Sequence, residues 1–257
     1  MKPVVIFAAT RWEFRAVQRA FSTAHGTTIA GLRAVVAQAG GCPYWLVQTG
    51  IGPDAAARGA KAVMNETFVG SVLSAGFACS LGASRVADVL LGTDVRSVRR
   101  DDTWAVVNSS LPCDSVLRER LLSAAQQARL QVAAGPIVSA PVVVGSAHDK
   151  RELSRLTGAA GLDMESWALG SVAVAQGVPF GIVRTVSDAM DEDLPLDFNL
   201  FLKPAGWLGG LRALLMRPGS LRELNRLRRQ SRLASDRLSE VFARYIDCTV
   251  RDEAIPQ

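Results

Sequence analysis

The stretch "GLDMESWALGSVAVAQGVPFGIVRTVSDAMD" (residues 161–191) contains the pattern that decides the fold. Residues 164–176 are apolar in nearly every direction around a helix, and Gly177 follows as a residue that favours the end of a helix. Residues 178–188 are rich in β-branched side chains and end in polar ones, which predicts a buried strand. A helix that is apolar all round must be covered on several sides, so this stretch predicts helices packed on a sheet.

The same alternation of strands and helices fills the chain before this stretch. The pattern predicts strands at 4–9, 32–50 (two strands around a Gly-Gly turn), 71–75, 88–98 and 135–146, and helices at 13–21, 52–64 and 115–130. This order is typical of an α/β fold. We expect a three-layer sandwich in which a twisted mixed β-sheet is flanked by helices.

No linker, repeat or low-complexity segment divides the chain. We therefore predict a single domain at 1–247, which includes an arginine-rich helical C-terminal region at about 211–245. The last residues, 248–257, are expected to form a disordered tail.

The composition of the 257 residues excludes several classes of protein. No apolar run is long enough to cross a bilayer, and the N-terminus lacks the features of a signal peptide. The four cysteines are scattered and there are only two histidines, which argues against a disulfide framework and against a metal centre. We expect a cytoplasmic protein that works without a metal or an organic cofactor.

Positive charge is concentrated near the C-terminus. The net charge is +5, but residues 211–244 hold nine arginines and three acidic residues, a sum of +6, so the remainder is about neutral at −1. One expectation is that this amphipathic region makes peripheral contact with an anionic membrane surface. The alternative is a solvated helix whose apolar stripe joins the core.

Polar residues follow three of the predicted strands. Glu13 follows the first strand, Met164 and Glu165 open a helix, and Ser187 and Asp188 end the last strand. Ligands of α/β proteins lie beyond the carboxyl ends of strands, so these residues are candidates for one site. A small-residue loop, "GFACS" at 76–80, is expected at the same edge.

Each candidate also has a simpler interpretation. The two glutamates can stabilise the first turn of a helix through its dipole, with Asp163 as an N-cap. Met164 can be a core residue, and the Ser187–Asp188 pair can be a turn signal. Taken singly, none of these residues decides between the two interpretations.

Taken together, the residues resemble the nucleoside phosphorylase / methylthioadenosine–S-adenosylhomocysteine nucleosidase superfamily. Residues 161–191 are similar to its acidic-Met-Glu helix start, its "VPF" strand, its arginine and its terminal "SD". "VVIFAATRWEF" (4–14), "TGIGPDAA" (49–56) and "SAGFACSLG" (74–82) resemble its first strand, its "SGIG" turn and its glycine-rich loop. The resemblance covers about residues 1–200 and implies an enzyme that cleaves the N-ribosidic bond of a purine nucleoside.

The resemblance implies a role for each candidate. Asp188 would protonate the purine at N7, and Ser187 would orient that aspartate. Glu165 would accept hydrogen bonds from the ribose hydroxyls, Met164 would pack on the sugar, and Glu13 would position or activate the attacking water. The chemistry agrees, because bond cleavage places negative charge on the base and positive charge on the sugar. The remaining implied substrate contacts are Gly76, Phe77, Ala78, Val143 and Asp163.

Hydrolysis and phosphorolysis both remain open on the sequence. Phosphorylases of this family carry an arginine just before the glycine-rich loop, and "VLSAGFACS" (72–80) has none, which favours water as the nucleophile. Arg184 is the candidate for a phosphate ligand if the enzyme is a phosphorylase.

Two departures from the family bear on the substrate. The segment "SAPVVVGS" (139–146) lacks the phenylalanine that stacks on adenine in the nucleosidases, which argues against methylthioadenosine itself. The C-terminal "RALLMRPGSLRELNRLRRQSR" (212–232) is similar to the hopanoid-associated phosphorylases, which act on adenosylhopane.

The family also implies a homodimer.

Other classes of function fit less well. "TGIGPDAA" lacks the third glycine of a dinucleotide-binding loop, and no Gly-x-Ser-x-Gly elbow is present. A nucleoside-binding module without turnover would not need an acid at the base and another at the water. The basic region contains few aromatic residues and no nucleic-acid-binding motif, so we expect no nucleic-acid partner.

Overall fold

The structure is a computed structural model, and it describes residues 1–108, 110–194 and 220–253. The strands are β1 (Val4–Ala8), β2 (His25–Ile29), β3 (Leu32–Ala39), β4 (Cys42–Gln48), β5 (Ser71–Ser80), β6 (Val89–Arg100), β7 (Trp104–Val106), β8 (Leu111–Pro112), β9 (Val132–Ser139), β10 (Gly161–Asp163) and β11 (Phe180–Asp188). The helices are α1 (Arg11–Gln18), α2 (Pro53–Glu66), α3 (Ser115–Gln127), α4 (Ala147–Thr157), α5 (Ser166–Ala175) and α6 (Ser220–Glu253).

The strands form one mixed sheet in the order β10-β9-β6-β11-β5-β1-β4-β3-β2. The central strands β1, β5 and β11 run parallel to one another, so their carboxyl ends meet at one edge. β10 also pairs with β5, through Gly161 opposite Ser80, which closes β5, β11, β6, β9 and β10 into a ring. The predicted twisted mixed sheet is therefore confirmed, and its strong twist brings one end back onto the middle.

Helices cover the sheet on both faces, as the three-layer prediction requires. On one face, α2 and α5 pack on the sheet through residues such as Val63 and Leu169. On the other face, α1, α3 and α6 contribute Phe14, Leu121 and Phe242 to a second apolar cluster. These five helices each bury apolar side chains on the sheet, and such burial is the main source of stability for packed layers.

Strand β5 differs from the prediction at its C-terminal end. Residues 76–80 were expected as a loop, but they continue the strand, because Gly76, Phe77 and Ala78 pair with Arg184, Thr185 and Val186 of β11. The small residues there are a consequence of crowding inside the closed ring and not a sign of a turn. A strand, unlike a loop, holds these residues in fixed positions at the sheet edge.

The C-terminal helix α6 packs against β11, α1 and α3. Its apolar side is buried along the segment from Ala234 to Ile246, and the hydroxyl of Thr185 donates a hydrogen bond of 2.9 Å to the Ala234 carbonyl. The helix continues to Glu253, so the predicted tail boundary at residue 248 lies inside it. Extending a helix that is already nucleated costs little free energy, which accounts for the added turns. Residues 195–219 and 254–257, which include the start of the predicted arginine-rich region, lie outside the described residues.

None of the helices in the described ranges combines the length and the apolar character that crossing a membrane requires.

Candidate active site

A cavity of about 370 Å³ opens at the edge where β1, β5 and β11 end. Sequence segments that are far apart converge there because parallel strands present their carboxyl ends together. The described lining residues are Ala9, Thr10, Glu13, Ile51, Phe77, Ala78, Cys79, Val142, Val143, Val144, Leu162, Asp163, Met164, Glu165, Ser187, Asp188, Leu194, Leu227 and Ser231. Nine predicted site residues are in this list, and two, Gly76 and Arg184, are not.

Glu13 caps helix α1 and also lines the cavity. Its Oε2 accepts hydrogen bonds from the backbone N–H of Thr10 at 2.8 Å and from the Thr10 hydroxyl at 2.7 Å. The Glu13 backbone N–H in turn donates to the Thr10 hydroxyl oxygen at 3.2 Å, which completes a capping box at the start of α1. Its Oε1 accepts a bond of 2.8 Å from the backbone N–H of Phe77 on β5. These bonds fix the carboxylate at the cavity wall, although Glu13 is only 4% exposed.

Glu165 is held by the start of another helix. The backbone N–H of Gly52, at the N-terminus of α2, donates a hydrogen bond of 2.8 Å to its Oε1. Gly52 has a φ of +93°, a conformation that other residues rarely adopt, so the "TGIG" turn is what aims this N–H at the glutamate. Glu165 makes no capping bond to its own helix, so the capping interpretation is wrong for this residue.

Burial changes the acidity of Glu165. Loss of solvent raises its pKa, Arg184 opposes that change, and the charges of Asp163 and Glu13 add to it, so the pKa reaches about 8. A carboxyl group with this pKa is protonated in part at neutral pH. It can therefore act as donor or acceptor toward hydroxyl groups in the cavity.

Arg184 lies beneath the cavity as a buried counterion. Its Nη2 donates to Asp163 at 2.7 Å, to the Ser74 hydroxyl at 2.7 Å and to the Ser166 hydroxyl at 2.9 Å. Burial alone would lower the pKa of the guanidinium, but Asp163, Glu165 and Glu13 outweigh that effect and raise it. The expectation that Arg184 binds phosphate is not supported by this position, because its side chain is 2% exposed and is occupied by protein partners.

The carboxylate of Asp163 is also bonded to buried groups of the protein. Its Oδ1 accepts from the Ser139 hydroxyl at 2.5 Å and from the Ser166 backbone N–H at 3.2 Å, and its Oδ2 contacts Ser166 and Arg184. Its side chain is 1% exposed. The expected substrate contact by the Asp163 carboxylate is therefore not supported, since the internal network uses both oxygens.

Gly76 packs closely against Glu13 and Arg184. A Cβ atom at this position would lie 2.3 Å from both Arg184 Nη1 and Glu13 Oε1, well inside contact distance. Gly76 does not line the cavity, so its expected substrate contact is replaced by a packing role. It gives Glu13 and Arg184 room to approach each other, their closest atoms being 4.0 Å apart.

Asp188 has a partner that the sequence did not reveal. Lys150 Nζ, which is fully buried, lies 2.6 Å from Asp188 Oδ2 and also donates to the carbonyls of Ala189 and Glu192 at 3.2 and 2.8 Å. The Ser187 hydroxyl donates to Asp188 Oδ1 at 2.8 Å, as the predicted orienting role of Ser187 requires. The two partners fix both oxygens of a carboxylate at the cavity.

A signal for Lys150 was present in the sequence. Ala147, Lys150, Leu153 and Thr157 occupy one buried face of α4, so a lysine stands at an apolar position of an amphipathic helix. A lysine at such a position requires a buried anion, which is Asp188.

Cys79 adds a neutral group to the wall. Burial, and then the charge of Asp188, raise the pKa of its thiol far above the ordinary value, so it is not a thiolate at neutral pH. A covalent mechanism through this cysteine is therefore unfavourable.

The rest of the cavity is apolar. Its apolar lining includes Phe77, Val143 and Leu194, and α6 contributes Leu227 together with Ser231. Within the described part of the lining there is no arginine or lysine. The lining combines carboxyl groups with hydrocarbon side chains, which suits a ligand that has both polar and apolar parts.

Comparisons with known proteins agree with this geometry. A 5'-methylthioadenosine/S-adenosylhomocysteine nucleosidase of Staphylococcus aureus (strain JH9) is 28% identical over 170 residues, which are 62% of this chain and 75% of that protein. The Neisseria meningitidis nucleosidase of the same name, solved with methylthio-immucillin-A, has a TM-score of 0.70 at 21% identity and covers 94% of this chain and 98% of its own. The Helicobacter pylori nucleosidase, solved with butyl-thio-DADMe-Immucillin-A, has a TM-score of 0.72 at 16% identity and covers 98% and 99%.

The structural likenesses, at these low identities, concern the fold. The sequence model of the phosphorylase superfamily matches residues 3–205, a range that includes every strand of the sheet and the carboxyl groups of Glu13, Glu165 and Asp188. The chain belongs to the phosphorylase superfamily.

Proposed function

We propose that this protein is a purine nucleosidase that hydrolyses the N-ribosidic bond of a 5'-substituted adenosine. The observation that carries the proposal is the convergence of Glu13, Glu165 and Asp188 on one cavity from three distant parts of the chain. The relative from Staphylococcus aureus supports the same activity.

For this reaction the protein must protonate the base, accept a proton from the attacking water and bind the sugar. The bond between C1′ and N9 breaks, and its electron pair goes to the base, where Asp188, which must enter this step in its protonated form, supplies a proton at N7 and becomes the carboxylate. The water oxygen forms a bond to C1′, and its proton goes to Glu13. Glu165 binds the ribose hydroxyls, with Met164 against the sugar, so that the sugar stays in place as positive charge develops on it.

The lining favours water over phosphate as the nucleophile. A phosphate would need cationic partners, and the described lining residues include no arginine or lysine. Arg184, the candidate phosphate ligand from the sequence, is occupied by Asp163, Ser74 and Ser166. Lys150 is fully buried against Asp188. Phosphorolysis is therefore the less favoured reaction.

The apolar wall bears on the 5′ substituent. Phe77, Leu194 and Leu227 would accept hydrocarbon better than a charged amino-acid group. This supports an apolar 5′ substituent, and a lipid-linked adenosine such as adenosylhopane belongs to that chemical class. A homodimer and a cytoplasmic location follow from the family resemblance alone, and light scattering of the purified chain would test the first.

The test is release of free adenine from a panel of 5'-substituted adenosines, with and without phosphate. Hydrolysis predicts free ribose products and a rate that does not depend on phosphate. Asp188→Asn and Glu13→Gln should each lower the rate by roughly 10²- to 10⁴-fold. Glu119→Gln, an exposed change of the same kind on α3, is the matched control and should leave the rate unchanged. A sugar 1-phosphate product, or full turnover by Asp188→Asn, would contradict the proposal.

A further inference from the structure

A second cleft lies beside the acid-lined cavity, between α1 and α6. It has a volume of about 590 Å³, and its charged and aromatic lining consists of Trp12, Arg15, Arg19, Arg228, Arg232 and Asp236. We call it the arginine cleft. None of the roles argued above uses these six residues.

The arginine cleft carries excess positive charge. Four arginines and one aspartate give a formal sum of +3. Arg19 lies 3.1 Å from Asp236 and also donates to the Ser235 carbonyl and hydroxyl at 3.1 and 3.0 Å. Arg15, Arg228 and Arg232 make no ion pair with any residue in the described ranges, so none of those residues neutralises the three guanidinium groups.

Two other arginines of α6 form ion pairs within the helix. Arg237 pairs with Glu240 at 2.8 Å, and Arg244 pairs with Asp247 at 3.5 Å, each one helical turn along. Arg228 and Arg232 make no such pair with the residues that the structure describes, in contrast to Arg237 and Arg244.

The arginine cleft and the acid-lined cavity share the same two helices. On α6, Leu227 and Ser231 line the cavity, while the next residues in each case, Arg228 and Arg232, line the cleft. On α1, Glu13 faces the cavity and its neighbour Trp12 the cleft. Consecutive helical residues point about 100° apart, so a single layer of helix separates the two sites.

The exposed indole of Trp12 indicates which kind of anion the arginine cleft would bind. It is 57% exposed beside the arginines, and Ile51, which lines the acid-lined cavity, is 50% exposed. Tryptophan and basic side chains together are typical of the boundary between lipid and water, where the indole lies at the level of the headgroups. Arginine binds phosphate oxygens in pairs through its planar group.

We infer that the arginine cleft binds the phosphate of anionic phospholipid headgroups and so places the mouth of the acid-lined cavity at a membrane surface. The contact is electrostatic, since the apolar side of α6 from Ala234 to Ile246 is already buried in the protein. This inference deepens the proposed function by giving an apolar substrate a route to the cavity. Lipid binding itself does not depend on that function.

The test is sedimentation of the full chain with vesicles of phosphatidylcholine, alone or mixed with phosphatidylglycerol. The wild-type protein should bind the mixed vesicles, and binding should weaken as salt is raised. Arg228→Gln/Arg232→Gln should reduce binding by about tenfold or more. Arg237→Gln/Arg244→Gln removes the same charge from the same helix and should change binding less than about twofold, since those arginines are paired.

Several outcomes would overturn the inference. These are a wild-type protein with no preference for the mixed vesicles, an equal loss in both double variants, and tight binding of glycerol 3-phosphate without vesicle binding. Arg15→Gln, on α1, gives an independent check if the α6 variants fold poorly, and it should also weaken binding. Adenine release from a soluble substrate is measured in parallel. Vesicle binding without adenine release would refute the nucleosidase and leave the cleft assignment standing.

Discussion

Lys150 Nζ lies 2.6 Å from Asp188 Oδ2, and the lysine side chain is fully buried. The two residues belong to α4 and the end of β11, and they are 38 positions apart in the sequence. Lys150 also bonds the carbonyls that follow Asp188, so it holds the end of β11 as well as the carboxylate. We regard Lys150 as a positioning residue for the proposed acid.

Removing the lysine is expected to affect both stability and rate. Lys150→Met leaves a buried carboxylate without its cation, which should lower the free energy of unfolding by about 3 kcal/mol. Urea denaturation measures this loss. The rate of adenine release should also fall through kcat more than through KM, because the acid is no longer held in place, and Lys150→Arg should restore part of it.

A double-mutant cycle separates this pair from general damage. Asp188→Asn alone leaves Lys150 buried without an anion, so it should also destabilise the protein, although the change is nearly isosteric. The double variant Lys150→Met/Asp188→Asn should lose less than the sum of the single losses, by about 1–3 kcal/mol. Additive losses would show that the two side chains do not interact.

The raised pKa of Glu165 predicts a dependence of stability on pH. Its ordinary pKa is 4.5, and burial raises it to about 8 in the folded protein. Between these values the unfolded chain releases the proton and the folded protein keeps it, so stability falls as the pH rises from 4.5 to about 8. Above that range the folded protein also releases the proton and this contribution levels off.

Glu165→Gln should remove that slope. The variant cannot ionise, so its stability relative to wild type should increase as the pH goes from about 5 to about 8, by on the order of a few kcal/mol. Urea midpoints at the two pH values give the comparison. Parallel profiles for the two proteins would mean that Glu165 is ionised throughout the range.

Gly76 is expected to tolerate no side chain. Alanine would place its Cβ 2.3 Å from Glu13 Oε1 and Arg184 Nη1, and neither group can move freely, since both are buried and hydrogen-bonded. Gly76→Ala should therefore destabilise the protein by about 1–3 kcal/mol and lower the rate by displacing Glu13. Gly26→Ala, where a Cβ would meet nothing within 4 Å, is the control for a glycine in a strand. Equal effects of the two changes would contradict the packing role.

The sequence predicts most of what depends on local pattern. The apolar periodicity and the turn residues identify the helix that ends before Gly177 and the strand that ends at Asp188, because these signals come from residues close together in the sequence. The convergence of Glu13 and Asp188 is predictable as well, since β1 and β11 both run parallel to β5 and end at one edge. Glu165 follows β10, which is antiparallel to β5, so its place at this edge depends on the closure of the sheet.

What the sequence does not predict depends on pairing over long distances. The role of Arg184 could not be foreseen, because its partners Ser74 and Asp163 come from β5 and β10, which meet only when the sheet closes. The same closure turns the expected 76–80 loop into strand. A polar side chain at the end of a strand can face the cavity or the interior, and the residue type alone does not decide which.

The two roles of Glu13 can be separated by experiment. Its carboxylate caps α1 through Thr10 and also reaches Phe77 across the cavity wall. Glu13→Gln replaces one acceptor oxygen with an amide donor, which must then face either Thr10 or Phe77, each of which offers an N–H. The variant should therefore lose about 1–2 kcal/mol of stability in addition to its activity.

Thr10→Ala isolates the capping role. It removes the hydroxyl that bonds both the Glu13 carboxylate and the Glu13 backbone N–H, and it leaves the carboxylate itself in place. We expect a loss of about 1 kcal/mol in urea denaturation, with adenine release reduced less than about tenfold. If Thr10→Ala and Glu13→Gln lower the rate equally, the activity depends on the helix cap. A large loss only in Glu13→Gln assigns the water-directed chemistry to the carboxylate.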